Sequence, residues 1–108
     1  MPQVERKARN QALFREVNER MAELAEAYAG DSAQTFFCEC SHIGCSATIE
    51  LLPSEYSLVR DDPTTFVLIP GHEESDHEEV LVRQAAYLIV RNKPGIAADV
   101  ARETDSRR

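Results

Sequence analysis

The three cysteines of the chain, Cys38, Cys40 and Cys45, lie within eight positions of one another. Buried cysteines often serve as small apolar side chains, but Glu39 and Ser41 make this segment polar. A disulfide is also disfavoured, because three thiols leave one unpaired and a Cys-x-Cys bridge closes a strained ring. Three thiolates and one imidazole are a common ligand set of structural zinc sites. The segment therefore predicts a zinc ion held by these cysteines and a histidine.

The spacing of the cysteines can place all three thiols around one ion. Residues 38 and 40 of an extended strand point to the same face, so both side chains can reach one ligand position. Gly44 then allows the loop to turn back, which brings Cys45 to the same ion.

The fourth ligand is predicted to be His72, with His42 as the alternative and a carboxylate or water after them. His72 follows Pro70 and Gly71 at the end of a predicted strand, and such a turn fixes the direction of the imidazole. His42 lies inside the short cysteine loop, where chelation would strain the chain. His77 lies among acidic residues and is typical of a solvated surface position. Binding through His72 would also close a long loop, which is where a metal stabilises a fold most.

These ligands need elements that position them, and the first is a long N-terminal helix. Apolar residues recur at spacings of three and four, which predicts one helix over residues 4–29 that ends at Gly30. The helix would be about 39 Å long, longer than we expect the rest of the domain to be wide. Its predicted contact residues for a protein partner or a homodimer are Phe14, Val17, Met21, Leu24 and Tyr28. We expect this apolar stripe to pack on the sheet near Gly30 and to be free from Val4 to Phe14.

The chain after Gly30 predicts short strands with one helix between them. The segments TFFCEC and SATIELL flank the cysteine loop and predict a hairpin, while Pro53 and Pro63 bound a short helix. The segments TTFVLIP, EVLVRQ and AYLIVRN predict three further strands, and the last two form a hairpin.

The predicted fold class is α+β, with a long N-terminal helix followed by a small antiparallel sheet that carries a zinc-bound hairpin and one short helical insertion. The predicted organisation is a long amphipathic helix over residues 1–30 and a small zinc-stapled body over residues 31–93. Residues 94–108 have one possible helical turn and are otherwise polar, so we expect a mostly disordered tail there.

The charge of the chain limits its partners. Its formal net charge is −7, and residues 31–93 carry eleven acids against four bases. An acidic body repels phosphate backbones, so nucleic acid is an unlikely partner; the basic segment ERKARNQALFR is interpreted as a solvated helix face. Because no apolar run approaches about 20 residues and the chain starts polar, we expect no membrane span, no signal peptide and a cytoplasmic location. Thiols there stay reduced, which favours metal binding over disulfides.

Several motifs follow one another along residues 10–95: an F-x-C-E-C, a third cysteine, an E-Y helix, a P-G-H turn and the final strand YLIVR. In these motifs the chain resembles a family of short bacterial proteins of unassigned function. The resemblance implies that His72, the histidine of the P-G-H turn, belongs with the three cysteines. The loop SHIG replaces acids and a proline expected from that family, so His42 is interpreted as incidental. The resemblance implies no activity.

The predicted function is a zinc-binding protein-interaction or regulatory adaptor in which zinc is structural. A shell of three thiolates and an imidazole is complete and carries negative charge, which makes a poor Lewis acid. The sequence has no Gly-rich phosphate loop and no Gly-x-Ser-x-Gly motif, so we do not expect an enzyme. The alternative is a zinc-thiolate redox or metal sensor, and a further alternative is a nucleic-acid-binding regulator.

Overall fold

The computed structural model describes residues 3–28 and 30–107. These residues form three helices and five strands, in the order α1 (Gln3–Tyr28), β1 (Gln34–Phe37), β2 (Thr48–Leu51), α2 (Pro53–Val59), β3 (Thr65–Leu68), β4 (Glu78–Arg83), β5 (Leu88–Asn92) and α3 (Ile96–Glu103). The predicted α+β class is confirmed, with its long first helix, antiparallel strands and helical insertion. Within the described residues, no helix combines the length and apolar character that crossing a membrane requires.

Helix α1 runs the full length of the molecule. Its 26 residues contain no proline or glycine, and Gly30 follows it with a φ of +68°, a conformation that ends helices readily. A helix of this length spans about 39 Å at about 1.5 Å per residue, and the longest dimension of the molecule is 39 Å. The other elements therefore pack along a single helical spine.

The strands form two small antiparallel sheets rather than one. Strands β1 and β2 pair with Phe36 opposite Ile49, and the second sheet has the order β3-β5-β4. The two sheets are linked just past the end of β1, where the backbone N–H of Glu39 donates to the carbonyl of Val67 in β3 (2.8 Å). This link brings the cysteine loop against the edge of the larger sheet.

In the described part of the chain, one apolar cluster joins both sheets to the helices. Its buried residues are Ala22, Phe36, Cys38, Cys40, Ile49, Leu51, Tyr56, Phe66, Val67, Leu68, Leu88, Val90 and Ala101. The rings of Phe36 and Tyr56 stack at its centre, with 4.8 Å between centroids. Only one residue of α1 belongs to this cluster, so the spine must be held mainly by other contacts.

The buried face of α1 consists of small and polar residues. These are Ala8, Gln11, Ala12, Arg15, Asn18, Glu19, Ala22 and Ala25. Large apolar residues lie on the opposite side, where Leu24 and Tyr28 are 60% and 87% exposed. The prediction that the end near Gly30 would be covered and the part from Val4 to Phe14 left free is therefore wrong. Polar side chains with buried partners hold the inner face, and apolar periodicity alone does not reveal them.

The expected disordered tail is replaced by helix α3, which packs against α1. The guanidinium of Arg15, whose side chain is fully buried, donates to the carbonyl of Ala101 (2.9 Å) and the hydroxyl of Thr104 (3.0 Å). The prediction failed because α3 is short and is held by groups far away in sequence, which local composition cannot show.

Ion pairs fasten the residues that follow α3. Buried Arg60 donates through Nε to Glu19 (2.7 Å) and through a second nitrogen to Asp105. Arg107 donates to the other carboxylate oxygen of Glu19 (2.8 Å). The segment after α3 is thereby tied to α1 and to the residue that follows α2.

The substitution Asp105→Ala should lower the free energy of unfolding by about 1.5 to 3 kcal/mol, the usual contribution of a hydrogen bond to a charged group. The measurement is urea unfolding at neutral pH. Glu103→Ala removes an exposed acid from the same segment and should change stability by less than about 0.5 kcal/mol. Equal effects of the two variants would contradict the role given to Asp105.

The effect of Asp105→Ala should also depend on pH. Burial alone would raise the pKa of Asp105, but the backbone N–H of Arg107 and the Arg60 guanidinium hold it below its ordinary value. A group with a lowered folded pKa contributes stability above its unfolded pKa, about 3.9, and loses it as the pH falls through the folded pKa. The gap between the wild type and the variant should shrink below about pH 4. A gap that stays constant would show that the contribution is not ionic.

Candidate metal centre

The structure brings the four predicted metal ligands together. The ligand atoms of Cys38, Cys40, Cys45 and His72 all lie within 4.8 Å of one another. The Nδ1 atom of His72 is 3.6 Å from the Sγ atoms of both Cys38 and Cys45. Among the described residues, this is the one group of histidine, cysteine and carboxylate side chains with such convergence. The four residues could therefore hold a metal ion.

The position of His72 is set by a tight turn at the end of β3. The N–H of His72 donates to the carbonyl of Ile69 (3.0 Å), which closes a four-residue turn over Pro70 and Gly71. Gly71 has a φ of +95°, the conformation that the third position of a type II turn needs, and proline is favoured before it. The P-G-H motif thus acts as predicted: its turn fixes the backbone of His72 and so directs the imidazole toward the cysteines.

The cysteine loop is closed by a comparable turn. The N–H of Cys45 donates to the carbonyl of His42 (3.1 Å), and Gly44 has a φ of +93°. The N–H of Cys38 donates to the carbonyl of Ala47 (2.9 Å), which continues the pairing of β1 and β2 into the loop. The hairpin therefore presents the first and last thiols from its two arms.

Backbone N–H groups surround the sulfur atoms. The N–H of Ile69 donates to Sγ of Cys38 (3.2 Å), and the N–H groups of His42 and Ala47 donate to Cys40 and Cys45. Hydrogen bonds of this kind favour the thiolate over the thiol. The backbone of the loop therefore stabilises negative charge on the sulfur atoms.

The three thiols cannot all ionise easily on their own. A hydrogen bond from Cys40 lowers the pKa of Cys38, and the same bond raises the pKa of Cys40. Burial raises the pKa of Cys45. A second or third thiolate would repel the first at these distances, so full ionisation needs a cation among them. Metal binding should accordingly release protons.

Glu39, the residue between the first two ligands, anchors the loop to the rest of the fold. Its side chain is completely buried. One carboxylate oxygen accepts hydrogen bonds from Tyr56 (2.5 Å) and Asn18 (2.9 Å), and the other accepts one from the N–H of Val67 (3.1 Å). The carbonyl of Glu39 also accepts from the side chain of Gln11 (2.9 Å). One residue thus connects the metal loop to α1, α2 and β3.

Two opposing effects act on the pKa of Glu39. Burial raises the pKa of Glu39, while the hydrogen bonds from Tyr56, Asn18 and Val67 oppose that rise, and the net pKa stays raised. The sequence analysis used Glu39 only as a sign that the cysteine segment is polar. The signal it missed was strand alternation, which points Glu39 away from the two cysteines and into the interior.

The other predicted residues lie in different surroundings. The ring centroid of His42 is 5.7 Å from that of His72, but His42 is not part of the ligand group. Of the predicted contact residues, Phe14 is half-buried against the ring of Phe37 (5.7 Å between centroids), and Met21 packs on the core. Val17 is half-buried, while Leu24 and Tyr28 are exposed.

Comparison of the chain with protein-family models, curated proteins and solved structures gave no significant match. The resemblance to a family of short bacterial proteins stays a prediction. The metal site is therefore supported by the convergence of its four ligand atoms.

The substitution His72→Ala should weaken metal binding by more than about 100-fold, because even outer partners of ligands contribute about 10- to 100-fold. Titration with Co²⁺, whose absorption reports thiolate coordination, measures this affinity. His42→Ala is the matched control and should change it by less than about threefold, since it does not reach the ligand group. The reverse order of effects would make His42 the fourth ligand.

The substitution Tyr56→Phe should lower the free energy of unfolding by about 1.5 to 3 kcal/mol, because it removes the hydroxyl that donates to buried Glu39. Thermal and urea unfolding measure the loss. Tyr87→Phe removes a hydroxyl from a half-buried tyrosine outside this network and should be nearly neutral. A neutral Tyr56→Phe variant would contradict the anchoring role of Glu39.

Proposed function

We propose that this protein is a zinc-binding protein-interaction or regulatory adaptor in which the zinc ion is structural. The observation that carries the proposal is the convergence of three thiols and one imidazole within 4.8 Å. Soft thiolates with an imidazole favour Zn²⁺ over Mg²⁺ and Ca²⁺, which take oxygen ligands.

A structural role fits the shape and burial of the site. Four protein ligands complete a tetrahedral shell and leave no position for a reacting water. The side chains of Cys38 and Cys40 are each only 1% exposed. The ion would join the β1–β2 hairpin to the turn after β3, which are far apart in sequence. Closing such a loop restricts the unfolded chain and stabilises the fold, so the proposal includes no catalytic step.

The interaction role is supported by the outer face of α1. Leu13, Val17, Leu24 and Tyr28 lie on the side opposite the buried face, and we call these four residues the outer stripe. Leu13, Leu24 and Tyr28 are more than half exposed. Scattered surface leucines are common, but an aligned series of large apolar side chains is typical of a contact surface.

The purified full chain should contain about one zinc ion, because a structural site of this kind is filled at equilibrium. Complete removal of the ion with chelator should lower the melting temperature by more than about 10 °C, since a loss of only 2 to 3 kcal/mol has that effect in a small domain. Elemental analysis and a thermal melt measure both quantities. Re-addition of zinc is the control and should restore the melt. A metal-free protein that melts unchanged would end the structural-zinc proposal.

The interaction role is tested by affinity capture from the cells that make the protein. The wild-type chain and the variant Leu24→Glu serve as paired baits, and zinc content is measured in both. A partner kept by the wild type and lost by the variant would support the proposal. Partners that bind both baits equally would place the contact elsewhere.

A redox sensor is the second candidate, and the position of Cys45 favours it. Cys45 is half-buried at the surface, unlike the two other cysteines. Peroxide could oxidise the thiolates of Cys45 and Cys40 to one disulfide, with two protons taken up, two water molecules formed and the ion released. Zinc release by mild peroxide, reversed by a dithiol reductant and zinc, would favour this function. Retention of zinc under the same conditions would favour the adaptor.

A further inference from the structure

A partly open cavity of about 100 Å³ lies between several parts of the fold. The first turns of α1 form one wall, and the others are the cysteine loop, the turn into β4 and the chain between β5 and α3. We call it the Glu78 cavity and define it by Ala8, Gln11, Glu74, Glu78, Asn92 and Ala97. Because a water molecule takes about 30 Å³ of liquid, the cavity has room for a ligand of about four or five non-hydrogen atoms.

Glu78 places a buried carboxylate in the wall of this cavity. The residue is 5% exposed, and its two oxygens accept hydrogen bonds from the side chain of Gln11 (3.0 Å) and the backbone N–H of Glu74 (2.8 Å). No ion pair among the described residues includes Glu78. Burial raises the pKa of Glu78, and its hydrogen bonds do not offset this effect. A buried carboxylate without a cation is costly, so the cavity favours a positively charged ligand.

Gln11 adds a hydrogen-bond acceptor to the same wall. Both N–H groups of its side chain are used, because they donate to the carbonyl of Glu39 (2.9 Å) and to the carboxylate of Glu78 (3.0 Å). These two bonds fix which end of the amide is the oxygen. Only a long bond from the side chain of Asn92 (3.5 Å) reaches that oxygen, and an amide oxygen can accept more than one hydrogen bond. The cavity therefore offers acceptors to a ligand that donates.

The basic residues of the lining do not balance Glu78. The Nζ atom of Lys7 pairs with Glu74 (3.0 Å), and these side chains are 30% and 19% exposed. The pair is therefore neutral and lies nearer the surface than Glu78. His77 also lines the cavity, but it is an exposed residue. The unbalanced charge is thus negative and lies at the buried end of the cavity, where an anion would be repelled.

The lining fits an organic cation better than a metal ion. Ca²⁺ and Mg²⁺ take about six or more oxygen ligands. Within the described part of the chain, only the cysteines and His72 have ligand atoms that converge as a metal site requires. Val4, Ala8 and Ala97 give the cavity an apolar side, which suits a short hydrocarbon chain.

We infer that the Glu78 cavity binds a small organic cation with a primary ammonium group. The ammonium group donates hydrogen bonds to Glu78 and Gln11, and its hydrocarbon chain contacts Ala8 and Ala97. The inference goes beyond the proposed function, since it uses neither the metal ligands nor the outer stripe. The free energy of binding per ligand atom is limited, so we expect a dissociation constant of about 1 to 10 mM for a simple alkylamine.

NMR titration of the zinc-loaded full chain with propylammonium chloride tests the site. The titration is run at constant ionic strength and at about pH 8, far above the ordinary glutamate pKa of about 4.3. The side-chain amides of Gln11 and Asn92 should shift and saturate. Neutral 1-propanol has the same shape and should bind at least about tenfold more weakly, because charge-assisted hydrogen bonds are stronger than neutral ones.

Three outcomes of the titration would overturn the inference. The first is the absence of saturable shifts up to about 100 mM amine, well above the expected constant. The second is equal binding of propylammonium and 1-propanol, which would show that the charge is not recognised. The third is the same set of shifts with sodium or calcium chloride alone, which would make the cavity a metal-ion site.

The variant Glu78→Gln tests the assigned carboxylate. It keeps the shape of the side chain and removes its charge, so it should raise the dissociation constant of propylammonium by at least about tenfold. Glu79→Gln is the matched control, because it removes the same charge from an exposed neighbour that pairs with Arg91 (2.6 Å) outside the cavity. This control should change the constant by less than about twofold. Equal effects of the two variants would overturn the role of Glu78.

The variant Ala97→Leu tests the cavity without changing its charge. Ala97 is half-buried at the second position of α3, and a leucine there should fill the space and abolish the saturable shifts. Amide spectra and zinc content, measured in every variant, show that the metal-bound fold is retained. Propylammonium binding that survives in a folded Ala97→Leu variant would place the ligand elsewhere and overturn the inference.

Discussion

The constraint on which the structure depends is the burial of Glu39 between two metal ligands. In the extended segment from 38 to 40, the two cysteines face one side and the carboxylate faces the other. A fully buried carboxylate is costly unless hydrogen bonds surround it. Asn18, Tyr56 and the N–H of Val67 meet this need. These three bonds hold α1, α2 and β3 around the carboxylate of Glu39. Because Glu39 lies between Cys38 and Cys40, its fixed position also sets the direction of their thiols.

This arrangement also explains the unusual character of α1. Its inner face uses Gln11, Arg15, Asn18 and Glu19 to bind buried partners, where most helices use leucine or valine. Buried polar groups specify one arrangement when all of them are paired, and they are costly when they are not. Leu13, Leu24 and Tyr28 are left for the outer side. Because polar residues hold the inner face of α1, its exposed apolar residues are available for contacts on the outer face.

The metal ligands could be predicted from the sequence because few chemistries use three close thiols, and because a P-G-H turn has a defined geometry. The strands and the first two helices also followed from local periodicity and from their prolines and glycines. Helix α3 and the orientation of α1 could not be predicted in this way. Both depend on contacts of Arg15 and Arg60 with groups 40 or more residues away. Strand alternation could have shown that Glu39 points inward, but its partners come from three separate elements and could not be predicted.

The most direct measurement of the central claim is X-ray absorption at the zinc edge on the purified full chain. The predicted shell has three sulfur atoms at about 2.3 Å and one nitrogen atom at about 2.0 to 2.1 Å, with no bound water. Because His72 supplies the nitrogen, the variant His72→Ala should lose this imidazole contribution. A sample without zinc, or a shell dominated by oxygen in the wild type, would contradict the account.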